Sequence, residues 1–380
     1  MRHLSPVKPS VWMAEEVLFN LKNVKKMKTI IINGDSRGTG RRISLAVAKN
    51  AIRVLKISKL FIMAAILTGG VMAQAQAQEN ALKSTPADLV DALHTTFGEH
   101  HARAVHAKGI FFEGTFTPSK EASKITRAKH LQKEDSRVIV RFSDFTGIPD
   151  IPDNAGPANP RGFAVKFISP DGSTTDIVGH SFNGFPTANT DQFHELLLSI
   201  AHSGADAPLP TELDGFLSAH PLAKTFLTTQ KLPASYATIA YFGVNAFKFT
   251  NSKGTSHFIR YQFVPQNEEL LTADQYEKEN ANYLINDIQK CVAAQPVIFK
   301  MYAQIAEPGD VIDDPSIAWP DSREKVLLGT ITITKLADNS EAADKALYFI
   351  PNNIPDGIEA ADPMIDFRSK TYPISVKQRQ

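Results

Sequence analysis

His106 lies in the segment Arg103-Ala-Val-His106-Ala-Lys-Gly109. A neutral imidazole suits proton transfer, because its charge changes near physiological pH. The arginine three residues earlier shares the histidine's face if the segment is helical, and the glycine just beyond lets the chain turn or approach a neighbour closely. Near the other end Arg368 and Tyr372 are one helical turn apart, so a guanidinium can stand beside a phenolic oxygen and favour the phenolate, an anionic donor. Between them come Arg141-Phe142-Ser143 and Arg161-Gly-Phe-Ala-Val-Lys-Phe167. Arginine grips carboxylates with a planar two-pronged fork and keeps its charge when buried. Taken singly, each motif has a plainer reading: a Tyr/Arg pair near a chain end, or a histidine in a core.

The elements that must position these groups are a helix, a strand-rich middle and grouped helices. Leu82 to His101 carries Leu89, Leu93 and Phe97 four apart, which predicts an amphipathic helix; Ser84-Thr-Pro-Ala-Asp88 caps its start with proline in the first turn. Arg137–Phe142, Gly162–Ile168, Ala246–Thr250, His257–Val264 and Glu324–Thr334 read as strands, with Asn251 to Ser256 as a hairpin loop. Asp191–His202, Leu213–His220 and Thr272–Lys300 read as helices. Proline and acidic residues crowd Glu307–Pro320 and Pro351–Pro363, marking long ordered loops. Strand clusters separated by grouped helices predict an α+β fold, a barrel or sandwich with helices on one side.

Composition sets the outer limits. The 380 residues are 43% hydrophobic and carry 41 basic against 40 acidic side chains, so no global field argues for nucleic acid. The 23 phenylalanines suit an apolar pocket and equally a phenylalanine-rich core. A lone cysteine, Cys291, excludes an intrachain disulfide and a cysteine-based metal cluster; it reads as a small buried hydrophobe.

Residues 1–77 read as an N-terminal extension and signal peptide, with the folded domain at 78–380. Arg53, Lys56 and Lys59 precede the apolar run Leu60–Met72, which ends in Ala73-Gln-Ala75-Gln-Ala77. Basic region, apolar core and small-x-small cleavage site predict an exported, periplasmic protein. The run is short for a membrane span; a retained anchor is the alternative. Arg41-Arg42 leaves twin-arginine export open beside the general route, and Met27 and Met63 are alternative starts. Gly34-Asp-Ser-Arg-Gly38-Thr-Gly40 imitates a dinucleotide-binding turn, but the chain runs from it into the signal peptide instead of a βαβ unit.

Taken in order, the segments around His106, Arg141, Arg161 and Arg368–Tyr372 resemble the haem catalase family, specifically its small catalase-related peroxidase branch. Ala306-Glu307-Pro308-Gly309-Asp310, Asp313-Asp314-Pro315, Ala318-Trp319-Pro320, Gly329-Thr-Ile-Thr-Ile333 and Asn352-Asn353-Ile-Pro-Asp-Gly357-Ile358-Glu359 extend the resemblance over residues 83–380. It implies a single-domain, eight-stranded antiparallel β-barrel with flanking helices, and haem b (iron protoporphyrin IX) as cofactor. Tyr372 would be the axial ligand, with Arg368 against its oxygen. His106 would be the distal base and Ser143 the serine that holds its imidazole. Arg103, Arg141 and Arg379 would neutralise the propionates. The other histidines His94, His100, His101, His130, His194, His202, His220 and His257 lack the surrounding motif.

The sequence departs from the family at the distal asparagine. The family's Asp-x-Val-Gly-Asn-Asn-Thr-Pro appears here as Asp176-Ile-Val-Gly-His180-Ser181-Phe-Asn183-Gly-Phe185-Pro186. Asn183 is the first candidate for that role and Ser181 the second.

The helical and C-terminal domains of full-size catalases have no room in this chain, which implies a shorter, wider path to the haem. The expected activity is therefore reduction of organic hydroperoxides, with hydrogen peroxide as a further substrate and a reducing cosubstrate as electron source. A true hydrogen peroxide catalase and a fatty-acid hydroperoxide isomerase are alternatives on the same fold; a haem-free periplasmic binding protein is the rival from another class. The expected mature protein has no membrane span and is a monomer or homodimer.

Overall fold

The computed structural model describes residues 84–338 and 340–379. The expected signal peptide, the rest of the extension and the glycine-rich turn lie outside the described residues. Eight antiparallel strands form the body: β1 (Gly109–Pro118), β2 (Ser136–Ser143), β3 (Gly162–Ile168), β4 (Thr174–His180), β5 (Tyr241–Thr250), β6 (Ser256–Pro265), β7 (Val297–Ile305) and β8 (Lys325–Leu336). They pair in the order β4-β3-β2-β1-β8-β7-β6-β5, and a bridge between His180 and Phe242 returns β5 to β4 and closes the barrel. A short β9 (Ile358–Ala360) adds to β5 outside the ring. The expected α+β barrel is what the chain forms.

Helices cover the barrel: α1 (Pro86–Phe97), α2 (Ala122–Ile125), α3 (Thr190–Ala201), α4 (Glu212–Ala219), α5 (Pro221–Thr228), α6 (Ala273–Lys278), α7 (Tyr283–Ala294), α8 (Ser340–Ala346) and α9 (Pro363–Gln378). Thr85 caps α1 in a reciprocal box with Asp88, and Pro86 opens the first turn. The helix stops earlier than its apolar spacing predicts. Gly98 takes a left-handed φ of 90° and ends it at Phe97, so Arg103 and His106 sit in a loop, not on a helical face. The expected helix Thr272–Lys300 is also divided. Glu279 to Asn282 separates α6 from α7, Pro296 ends the helical stretch, and the β-branched and aromatic run from Val297 forms β7.

Alternation along the strands sorts residues into an interior and a covered exterior. Phe142 of β2 points inward and packs against Phe112, Phe163, Tyr236, Tyr241 and Phe299, at centroid separations of 5.4–6.1 Å. Truncating a ring so buried costs about 3–5 kcal/mol. The abundant phenylalanine therefore serves the core as well as the site. Cys291 on α7 is half-buried against this core; burial, then the Asp287 carboxylate, push its thiol pKa up, which makes it a poor nucleophile. Arg141 and Ser143 of β2, Ala164 of β3 and Val178 and His180 of β4 belong to the opposite, outward face. There α1, α3 and α9 lie over the barrel wall and enclose a cavity.

Candidate active site

The cavity has about 1310 Å³ of empty space, its open mouth included. Leu89, Val90 and Leu93 of α1, Phe193 of α3, Met364 of α9 and Ala164 and Val178 of the barrel make its walls apolar. A few polar groups converge on it, the usual make-up of a cofactor site. His106, Ser143, Arg103, Arg141, Arg368, Tyr372 and Arg379 all line it. Residues separated by more than 270 positions in sequence thus share one space.

His106 is held by backbone and by a vacancy. Its φ of 58° is left-handed, uncommon for a residue with a side chain. Its amide N–H donates to Phe145 O at 3.0 Å, and the next amide, that of Ala107, donates to Thr146 O at 2.9 Å, which hold that conformation. The ring nitrogen Nδ1 lies 3.0 Å from the Asp144 carbonyl and 3.1 Å from Ser143 Oγ. A carbonyl only accepts, so Nδ1 carries the proton and Nε2 is bare. The ring lies over Gly162, where a Cβ would stand 2.6 Å from Nδ1. Burial first, then the charges of Arg141 and neighbours, pull the imidazole pKa down to about 3. At neutral pH it is an uncharged proton acceptor.

Asp144 is itself anchored. Its carboxylate pairs with the fully buried Arg161 and accepts from Tyr236 Oη at 2.8 Å. Arg161 also donates to the Asp153 carbonyl and, at 3.1 Å, to Tyr276 Oη. Asp153 pairs in turn with Lys108 and accepts from the Leu284 amide on α7 at 2.8 Å. Removing one partner of such a pair costs about 3–5 kcal/mol.

On α9, Arg368 donates to Tyr372 Oη through Nη2 at 2.6 Å and Nε at 3.2 Å. Its Nη1 donates to Asn245 Oδ1 at 2.6 Å; Asn245 Nδ2 donates to Asp362 Oδ2 at 2.6 Å. Asp362 caps α9 by accepting from the Met364 amide at 2.9 Å. Asn245 lies where β5 loses register with β6, between Gly243 and Phe247. A bulge of that kind turns a side chain out of the regular ladder.

Three arginines form the third group. Arg103 and Arg141 both bond Asp344 of α8, at 3.1 and 2.8 Å, and lie over the two-ring stack of Phe111 and Phe349 at its Phe111 face. Arg379 donates to Leu347 O at 2.8 Å, while its buried Nε has no partner among the described residues. Gly109 makes room here, since a Cβ on it would stand 2.6 Å from Arg141 Cζ. Three guanidinium groups face one carboxylate. Burial, then the nearby Arg141 charge, lower the Arg103 pKa to about 8, and burial lowers Arg379 as well. The cluster lacks anionic charge.

Asn183, the first candidate for the distal asparagine, is half-buried and is not among the cavity-lining residues. Ser181 is buried, but its Oγ accepts from the Arg161 amide at 2.9 Å and it too is absent from the lining. Both lie beyond the end of β4, where the chain turns away. His180, the last residue of that strand, faces the cavity instead. Sequence reasoning also missed Asn245, Asp362 and Asp344. Asp362-Pro363 is a helix-start signature that could have flagged Asp362; Asn245 and Asp344 carry no such local signal.

Residues 84–380 match the sequence profile described as Catalase. The chain belongs to the catalase family. It is 36% identical over 302 residues to a catalase-related peroxidase of Mycolicibacterium paratuberculosis, covering 78% of this chain and 95% of that one. To a catalase-related peroxidase of Synechococcus elongatus it is 33% identical over 302 residues, covering 78% and 88%. Among solved structures, a fungal catalase superposes with a TM-score of 0.64 at 21% identity, covering 73% of this chain and 59% of that one. The chain thus spans a little over half of that catalase, and the likeness at this identity concerns the fold.

Catalase membership implies a haem in general, and the cavity fits one. The under-neutralised arginines match the propionates, Tyr372 Oη reaches the cavity with two guanidinium N–H groups behind it, and the space over Gly162 keeps an imidazole at the wall.

Proposed function

We propose that the chain, which family membership makes an oxidoreductase acting on peroxides, is a haem b peroxidase that reduces organic hydroperoxides, and hydrogen peroxide also, at the expense of a reducing cosubstrate. The observation that carries this reading is the single cavity lined at once by His106, Tyr372 with Arg368, and Arg103, Arg141 and Arg379. Tyr372 would hold the iron through its phenolic oxygen and the three arginines would receive the propionates. Bound haem would supply the iron at which the peroxide O–O bond is cleaved.

The remaining chemistry belongs to the chain. His106 accepts the hydroperoxide proton at Nε2 and can return it to the departing oxygen. Ser143 and the Asp144 carbonyl hold the ring in the required tautomer. The overall reaction balances as ROOH and a two-electron donor with two protons giving ROH and water. Phe145 stands edge-on to His106 at 5.4 Å, and Phe185 and Phe193, 4.9 Å apart, line the same cavity. This aromatic wall gives the alkyl part of an organic hydroperoxide a place to be buried, at roughly 25 cal/mol per Å². That favours organic hydroperoxides over disproportionation of hydrogen peroxide. We place the enzyme outside the cytoplasm on the strength of the leader at residues 1–77, with 78–380 as the mature domain.

Steady-state assays test the preference. Turnover of an alkyl hydroperoxide with a phenolic donor should exceed oxygen release from hydrogen peroxide; rapid oxygen release with negligible peroxidase turnover contradicts it.

A further inference from the structure

His180 is a second imidazole in the cavity, and its tautomer follows from the backbone. The amide N–H of Phe182 donates to its Nδ1 at 3.3 Å. Nδ1 is therefore the bare nitrogen, and a neutral ring carries its proton on Nε2. Burial, with the Arg368 charge second, lowers the ring pKa to about 3, so it is neutral at pH 7. Its Nε2 is buried with no hydrogen-bond partner among the described residues. A donor in that state calls for a ligand.

Strand register puts this donor beside the base. Ser143, Gly162 and His180 are paired neighbours across β2, β3 and β4. The His106 ring lies over the middle of that row, where Gly162 has no side chain, and Ser143 holds it from one side. His180 occupies the other side, near enough to be among the groups that disfavour protonation of His106. The two rings have opposite tautomers, one fixed by a carbonyl and the other by an amide. His106 offers an acceptor at Nε2 and His180 a donor at Nε2.

We propose that His180 is a substrate-contacting residue that donates Nε2–H to the peroxide oxygen while His106 accepts the peroxide proton. A hydroperoxide group needs one acceptor and at least one donor, and this pair supplies them without any change of protonation. The inference rests on the haem peroxidase reading above.

Cyanide is the probe, because it loses a proton on binding and keeps a hydrogen-bond acceptor at its far end. Its dissociation constant is read from the Soret band of the purified holoprotein, beside haem content and peroxidase kcat and KM. His180→Leu should retain haem, bind cyanide about 10-fold to 100-fold more weakly, as loss of a hydrogen bond to a charged acceptor predicts, and lose kcat. His180→Asn, which keeps an N–H donor, should recover most of both. If His180→Leu does not hold haem, His180→Met against His180→Asn makes the same comparison. Cyanide affinity unchanged in the apolar variant, or equally weak in the apolar and asparagine variants, overturns the proposal and leaves the peroxidase reading intact. Wild-type protein without a Soret band overturns both.

Discussion

The imidazole of His106 works as a base only because its Nδ1 proton is committed elsewhere, to Asp144 O and Ser143 Oγ. His106→Ala should keep haem and fold while kcat falls about 10²-fold to 10⁴-fold, the usual contribution of a general base; normal turnover would remove this residue from the mechanism. Gly162→Ala is a sharper probe. A Cβ there would stand 2.6 Å from Nδ1, so the ring must leave its place, and turnover should fall toward the His106→Ala level with haem content unchanged. Residues of this kind were legible in the sequence where a short motif surrounds them, as at Arg103–Gly109, Arg141–Ser143 and Arg368–Tyr372. His180 was passed over, although Asp176-Ile-Val-Gly-His180 sets it opposite the first asparagine of the family's Asp-x-Val-Gly-Asn-Asn; its place beside Gly162 shows only in the pairing of β4 with β3.

At the scale of elements, α9 is the part whose position matters most, since it brings Arg368, Tyr372 and Arg379 to the cavity together. It also carries Pro373 immediately after Tyr372, which removes a backbone hydrogen bond inside the helix. The Asp362 cap and the Asn245 link to Arg368 help to anchor it, beside the bonds from Asn352 to Asp366 and Ser369 and from Ala104 to Ser375. Asp362→Ala should lower stability by about 0.5–2 kcal/mol from the cap alone and speed haem loss, measured by transfer to a haem-scavenging globin. An unchanged rate of loss would show that the link carries no orientation. Element reading from sequence succeeded where alternation was clean, as at Gly162–Ile168. It failed where one element abuts another of opposite period. β7 follows directly on the helical pattern before it, and β1 follows so closely on the His106 segment that its aromatic run gives no separate strand signal. β4 is polar at its start, which blurs the apolar alternation of a strand.

Over the whole molecule, three buried imidazoles make stability depend on acid. His106, His130 and His180 are each held, chiefly by burial, near a pKa of about 3, against about 6.5 unfolded. Between those values the unfolded chain binds more protons, so their contribution is present above about pH 6.5 and is lost as pH falls. The slope approaches about 1.4 kcal/mol per pH unit for each group. His130 packs on Phe167 inside the barrel, away from the cavity, so His130→Leu should lessen that slope by one such increment and leave neutral-pH activity alone. Denaturant unfolding at pH 6 and pH 5 measures it; an unchanged slope would show that His130 does not titrate in this way.

The central claim is that Tyr372 and His106 serve one haem. Absorption spectra of the wild-type holoprotein and of Tyr372→Phe test it most directly. The wild type should show a Soret band with the charge-transfer features of a phenolate-bound ferric haem, and the variant should lose those features and most of the haem. A wild-type protein with no Soret band, or a variant whose spectrum and haem content match the wild type, would contradict it.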